Sequence, residues 1–211
     1  MSQVVVVIGG GPLSSRAIAE IAPTAVVVAA DSGLDHAVAA GLRPTILVGD
    51  LDSISAHGKM WAYAHELEID QHPQDKGSTD TELALARATA TDATQLLVCG
   101  ASGDRFDHAL GTLAALGNPT LSRFDSVRLL LDGTAIHVLH RDRSVDLDLA
   151  VGSPFSLLSL HGTCAGIEVT GARWPLTGAE FEPWSTLGIS NEATGLLHVA
   201  VSDGILTLVV P

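Results

Sequence analysis

Four apolar, mostly β-branched runs, VVVVI from Val4, VVVAA from Val26, TILVG from Thr45 and QLLVC from Gln95, carry no polar alternation. A strand that is apolar on both faces has to be covered on both, as in a parallel sheet flanked by helices. Turns rich in Gly, Asp or Pro follow these runs, and segments with helical spacing come next. These cover Leu13 to Ile21, Leu34 to Ala40, Met60 to Leu67 and Phe106 to Leu116, with an Ala-rich helix from Thr79 to about Thr91. The alternation predicts an α/β fold with an N-terminal parallel-sheet, Rossmann-like domain.

Beyond about Ser122 the pattern changes. VRLLLDGTAIHVLH sets Asp132 and Gly133 between two strand-like runs, and VAVSDGILTLVV sets Asp203 and Gly204 likewise, each a two-residue hairpin signal. SVDLDLAVG and SPFSLLSL add short strands, and no useful helical period is present. The expectation is a first domain over residues 1–124 and a C-terminal all-β sandwich or barrel over residues 125–211.

A formal net charge of −13 argues against a nucleic-acid surface, which needs clustered Lys and Arg. No apolar stretch approaches the about 20 residues of a spanning helix, and the N-terminus lacks the basic start and cleavage site of a secretory signal. A cytoplasmic location without membrane or nucleic-acid partners is expected. Cys99 lies in an apolar run and Cys164 in a Gly-flanked turn, so both read as small buried hydrophobes.

The chemistry is concentrated in carboxylate-bearing turns: Asp31 after VVVAA, Asp50 and Asp52 after TILVG, Asp75 and Asp80 in QHPQDKGSTD, and Asp104 and Asp107 after LLVCGASG. Strand ends of an open parallel sheet emerge on one edge, where ligands bind, so these acids are expected to converge. Carboxylates without Cys suit a hard cation such as Mg²⁺, which in turn suits phosphate oxygens. The negative charge would repel ATP, so a polyphosphate substrate calls for that ion and for local cations; Lys76 and Arg105 lie inside the acidic motifs.

Each motif also has a plainer account. GGGP, from Gly9, reads either as a phosphate-cradling loop or as a tight turn with Pro12 at the first helical position. If the chain stays extended through VGDLDS, Asp50 and Asp52 point to one side and can share a cation; a surface turn accounts for one Asp better than for the pair. Thr79 with Glu82 forms a capping box, which leaves Asp80 available as a ligand. Asp104 and Asp107 can start a helix, and His108 is as compatible with the scaffold as with the chemistry.

Together these motifs resemble a known family. ADSGLDHA, PTILVGDLDS, the K-x-x-TD-x-E-x-A of Lys76 to Ala84, the G-x-x-G-x-R-x-DH of Gly100 to His108, and a late W-P-L with GISNE are similar, in order and spacing, to thiamin pyrophosphokinases. The resemblance implies Mg²⁺-dependent transfer of a diphosphoryl group from ATP to the hydroxyethyl oxygen of thiamin, giving thiamin diphosphate and AMP, by a homodimer with shared active sites. It implies a metal and diphosphate centre at Asp50, Asp52 and Asp80, with Lys76, Arg105 and Asp107 in the chemistry. It places Asp31, Ser32, Gly33, Arg105 and His108 at the nucleotide, and Trp174, Ser190 and Asn191 at thiamin, where an aromatic face suits a cationic heterocycle.

Two positions depart from the family pattern. Gly77 stands where an Asp is common after the Lys, although Asp75 precedes Lys76, and Asp104 replaces a Gly next to Arg105. Two alternatives follow: a diphosphokinase for another hydroxyalkyl heterocycle, such as a pterin, and an inactive nucleotide- or thiamin-binding protein.

Overall fold

The computed structural model describes residues 1–103 and 105–211; the expected helix-starting role of Asp104 and its place next to Arg105 lie outside the described residues. The chain forms two compact units, Met1–Ala115 with Arg128–Gly133, and Leu116–Val127 with Thr134–Pro211.

The first unit is built on β1 (Gln3–Val7), α1 (Ser15–Ala19), β2 (Val26–Ala30), α2 (Gly33–Ala39), β3 (Ile46–Gly49), α3 (Ala56–Ala64), β4 (Glu68–Gln71), α4 (Asp80–Thr89), β5 (Gln95–Cys99) and α5 (Phe106–Ala115). The strands run in the order β4-β3-β2-β1-β5, and every neighbouring pair is parallel. Val4 to Val7 of the central β1 are fully buried, the outcome expected for a strand covered on both faces. Leu34, Leu47, Ile54 and Ala62 tie α2 and α3 to the sheet in one buried cluster. The chain leaves β1 toward β2 but returns from β4 to β5 on the opposite side of β1. The loops after β1 and β5 therefore flank a topological switch point, where open α/β sheets bind ligands.

Two local expectations are corrected, and one strand lies where none was expected. Helix α3 starts at Ala56, ahead of the Met60 segment, because Ser55 caps it by accepting from Gly58 N. Helix α1 is only Ser15–Ala19, with Ser14 as its cap. Strand β4, EIDQ, is half-exposed at the sheet edge and carries no apolar run by which to recognise it.

The second unit holds a 3₁₀ turn (Pro119–Arg123) and the strands β7 (Thr134–Leu139), β8 (Arg143–Asp148), β9 (Pro154–Leu158), β10 (Cys164–Ala172), β11 (Leu176–Phe181), β12 (Asn191–Val201) and β13 (Leu206–Val210). Strand β6 (Ser126–Leu131) leads into the Asp132–Gly133 turn. Among the described residues, strands β7 to β13 pair antiparallel. Long β12 belongs to two sets of ladders, meeting β9 through Asn191 and Glu192, then β10 at Ala193 and His198 to Ala200 and β8 along Leu196 to Val201. Phe155 and Leu157 from one ladder and Ile167, Val169, Leu197 and Val199 from the other share one core.

The Asp203–Gly204 hairpin is overturned. β12 and β13 are not partners, since β13 pairs with β7 and β9, and the turn instead carries the chain from one ladder to the other. Ser202 N and Asp203 N both donate to Ala165 O, so the corner is tied down by β10. Both cysteines are free thiols in the core, and burial pushes the Cys99 thiol up to about 12, which keeps it protonated and inert. No described helix is long and apolar enough to cross a membrane.

Candidate active site

A cleft of about 770 Å³ opens at the carboxyl edge of the parallel sheet, with Gly9 and Gly10 after β1, Asp31 after β2, Asp50 after β3, Lys76 ahead of α4 and Asp80 at its first position among its walls. The glycines of the first loop have a packing cause. A Cβ on Gly11 would stand 1.9 Å from Ser102 O, and one on Gly103 would stand 1.9 Å from Gly10 O, so the loops after β1 and β5 interlock backbone against backbone.

Asp31, Asp50 and Asp52 bring one carboxylate oxygen each to within 4.8 Å of one another. The route to this grouping is not the extended chain expected for VGDLDS. Leu51 takes the left-handed conformation, φ +67°, and Asp50 Oδ1 accepts from Asp52 N at 3.1 Å, so the two acids converge through a tight turn. A bulky residue at positive φ costs about 1–3 kcal/mol and persists only where its surroundings enforce it. Asp31 is also left-handed, φ +47°, pinned by Asp31 N donating to Val48 O at 2.9 Å.

Neutral groups hold two of the three acids. Ser53 Oγ donates to Asp31 Oδ2, and Gln74 Nε2 donates to Asp52 Oδ2 at 2.7 Å. Asp31 Oδ1 is buried with no hydrogen-bond partner. Burial raises the Asp31 pKa, the Ser53 hydrogen bond offsets part of that, and the charges of Asp80, Asp50 and Asp52 push it further up. An orphaned, buried carboxylate oxygen beside a group of like charges, in an all-oxygen donor set, fits a hard divalent ion.

The cationic partner is shared. Lys76 Nζ lies 2.8 Å from Asp80 Oδ1 and 3.4 Å from Asp50 Oδ2, largely shielded from solvent. The hydrogen bond to Asp80 raises the Lys76 pKa against the opposing effect of burial, so the side chain stays charged. Asp50 titrates below the usual range, chiefly through the bond from Asp52 N, with Lys76 assisting. Asp80 opens α4 beside the Thr79–Glu82 capping box. It meets Asp31 across Gly49, where a Cβ would stand 3.1 Å from Asp80 Oδ1 and 3.2 Å from Asp31 Cβ.

Arg105 and Asp107 form a fork-like pair, Nε to Oδ1 at 2.9 Å and Nη2 to Oδ2 at 2.6 Å, both well exposed. This bond holds the Asp107 carboxyl down at about 2. Asp107 and His108 line the cleft wall from α5, and Ser32 lines it from the start of α2, while Gly33 is buried behind. Asp75 is exposed, and Gly77 faces open space.

Trp174, Ser190 and Asn191 belong to the second unit. Trp174 is half-exposed, contrary to the core position that is the default for a Trp, and the Arg173 guanidinium lies 4.6 Å from its ring centroid. Asn191 is buried, and its amide clasps the Trp174 backbone in both directions. Ser190 is left-handed, φ +65°, and Ser190 N donates to Ser156 Oγ. Sequence reasoning overlooked Ser53, which sits inside the quoted motif, and Gln74, which no pattern marks.

An open parallel sheet with interlocked glycine loops, three converging acids and a shared lysine at its carboxyl edge, joined to an antiparallel unit, defines a two-unit α/β protein with a carboxylate-lined cleft at the sheet edge. Residues 19–131 match the family described as "Thiamin pyrophosphokinase, catalytic domain", and residues 136–206 match "Thiamin pyrophosphokinase, vitamin B1 binding domain". The chain belongs to the thiamin pyrophosphokinase family. It is similar to thiamine pyrophosphokinase 1 of Oryza sativa, 27% identical over 71% of this chain and 59% of that protein, and to the Bacillus subtilis enzyme, 24% identical over 86% and 85%. It spans less than two thirds of the rice relative's length. Among solved structures, thiamin pyrophosphokinase from Geobacillus thermodenitrificans superposes with a TM-score of 0.77 at 27% identity, covering 100% of this chain and 97% of that one. The Bacillus subtilis structure gives 0.82 at 24% identity, covering 99% and 98%, a likeness of fold.

Proposed function

We propose that this protein transfers a diphosphoryl group from ATP to the hydroxyethyl oxygen of thiamin, releasing thiamin diphosphate and AMP. The observation that carries the reading is the Asp31, Asp50 and Asp52 grouping with its orphaned buried oxygen, set in the segment that matches the catalytic domain. Mg²⁺ bound there would supply neutralisation of the negative charge on the donor phosphates. Asp31, Asp50 and Asp52 would hold it, with Asp80 alongside.

The remaining work is positioning and charge balance, which is what phosphoryl-type transfer asks of a protein. Lys76, kept charged between Asp50 and Asp80, stands ready to follow the transferring group. Arg105 offers a planar fork to a phosphate once it leaves Asp107. The thiamin oxygen attacks the β-phosphorus as the bond to the AMP oxygen breaks, and the hydroxyl proton passes to a carboxylate or to water. While Arg105 is paired with it, Asp107 is held near a pKa of 2 and orients the hydroxyl rather than taking its proton; once Arg105 turns to a phosphate, Asp107 becomes a better acceptor.

In this reading the Rossmann-like residues 1–124 take the nucleotide, with Ser32, Gly33 and His108 beside it, and the sandwich-like residues 125–211 take thiamin. Trp174 walls the heterocycle, with Ser190 and Asn191 next to it. The exposed Trp174, Trp184, Leu187 and Ile189 supply apolar surface of the kind a second copy covers, which supports a homodimer with shared sites. The vitamin B1 binding match over residues 136–206 favours thiamin over other hydroxyalkyl heterocycles. A cytoplasmic location completes the proposal. Measuring AMP release from ATP with and without thiamin tests it: thiamin-dependent AMP is expected, and a protein that binds both ligands without releasing AMP would overturn it.

A further inference from the structure

Two of the clustered acids are held by neutral donors, and the nearby cation Lys76 is not one of them. Asp52 Oδ2 accepts from the Gln74 amide at 2.7 Å, and Asp31 Oδ2 accepts from the Ser53 hydroxyl. Lys76 is committed to Asp50 and Asp80 instead. A neutral donor fixes a carboxylate's direction yet leaves its full negative charge, whereas an ammonium in the same place would fix it and cancel the charge. The donors also divide the oxygens: each of Asp31 and Asp52 has one oxygen engaged by a side chain, and Asp31 Oδ1 is left buried and unpartnered.

We infer that Gln74 and Ser53 are positioning residues of the cation site, selected as uncharged donors so that Asp52 and Asp31 are oriented without being neutralised. The inference rests on the proposal that the three acids hold a divalent ion. Partners that orient metal ligands typically contribute about 10- to 100-fold in metal affinity. Gln74 bridges from the loop ahead of α4 to the Asp50–Ser53 turn, so it also links the two acidic motifs.

Substitution at Gln74 separates this role from simple bracing. Gln74→Met keeps the bulk and removes the donor; Gln74→Lys restores a donor and adds charge. If Gln74 only braced Asp52, the lysine would rescue what methionine lost. If charge must be preserved, the lysine is the worse of the two. The measurement is Mn²⁺ affinity of the full-length protein, read by electron paramagnetic resonance of the free ion without nucleotide, with circular dichroism as the control for folding. Expected is wild type tightest, Gln74→Met weaker by a few-fold and Gln74→Lys weaker by about 10-fold or more. Ser53→Ala, which removes the donor to Asp31, should fall near Gln74→Met. Wild-type affinity in all variants, or Gln74→Lys binding as tightly as Gln74→Met, would overturn the inference while leaving the cation reading intact. A wild-type protein that binds no Mn²⁺ would overturn both.

Discussion

Asn191 holds Trp174 by both of its main-chain polar groups: Asn191 Nδ2 donates to Trp174 O at 2.8 Å, and Asn191 Oδ1 accepts from Trp174 N at 3.2 Å. The amide is therefore engaged with backbone, and its influence on a ligand passes through the indole. Trp174→Ala should raise the thiamin KM about tenfold with little change in the ATP KM, as expected for loss of a stacking wall on a cationic ring. Asn191→Ala should raise the same constant by a smaller factor, and the double variant should resemble Trp174→Ala alone, because the two act as one unit. Additive effects in steady-state kinetics would place Asn191 in separate contact with the substrate.

Asp50→Asn and Asp52→Asn should each fold normally and lower turnover by about 100-fold or more, since each withdraws charge from the group that stabilises the transferring phosphates. Kinetics at limiting Mg²⁺ provide the check. Turnover like that of the wild type in both would remove these residues from the metal assignment.

Gly49→Ala is expected to harm both stability and turnover. Gly49 has φ +142°, and a Cβ there would press on Asp80 and Asp31 at 3.1 and 3.2 Å. The backbone conformation alone costs an alanine about 1–3 kcal/mol. A lowered thermal midpoint with weaker Mn²⁺ binding is the predicted pair of results. A stable variant with wild-type ion binding would show that the two acids do not need this spacing.

His140 gives the second unit a dependence on pH. Its ring Nε2 bonds Leu116 O at 3.1 Å in a buried setting, and burial lowers its pKa below the ordinary 6.5, with His161 and Arg143 adding repulsion. The unfolded chain takes up a proton that the folded chain resists, so no penalty exists well above pH 6.5. Stability falls as the pH drops below that value toward the depressed folded pKa. Thermal unfolding from pH 7.5 to 5.5 should show a smaller loss for His140→Gln than for wild type; equal losses would assign the acid sensitivity elsewhere.

Much of the first unit could be read from residue order. Continuous apolar runs announced β1, β2, β3 and β5, because a strand buried on both faces has no freedom to be polar. Strand β4 escaped for the opposite reason: EIDQ lies half-exposed at an edge, where composition is barely constrained. The acid cluster was legible as residue types but not as geometry, since a leucine at positive φ is disfavoured locally, and Leu51 packs against a cluster that includes Ala29, Leu34 and Ala62, distant in sequence. Asp203–Gly204 carried the right turn chemistry and the wrong partner, because a two-residue signal says that the chain reverses and nothing about which strand receives it. Gln74 was invisible because its role depends on an acid 22 positions earlier.

The interlock between the loops after β1 and β5 limits how this protein can change over time. Gly11 faces Ser102 O, and Gly103 faces Gly10 O, each with 1.9 Å of clearance for an added carbon. Because both obstacles are main-chain atoms, no compensating swap at the opposing position opens room. The usual route of a harmful substitution followed by a rescuing one is closed at both loops. Variation should therefore enter by insertion or deletion that moves a whole loop, while single-residue drift at Gly11 and Gly103 stalls at its first step.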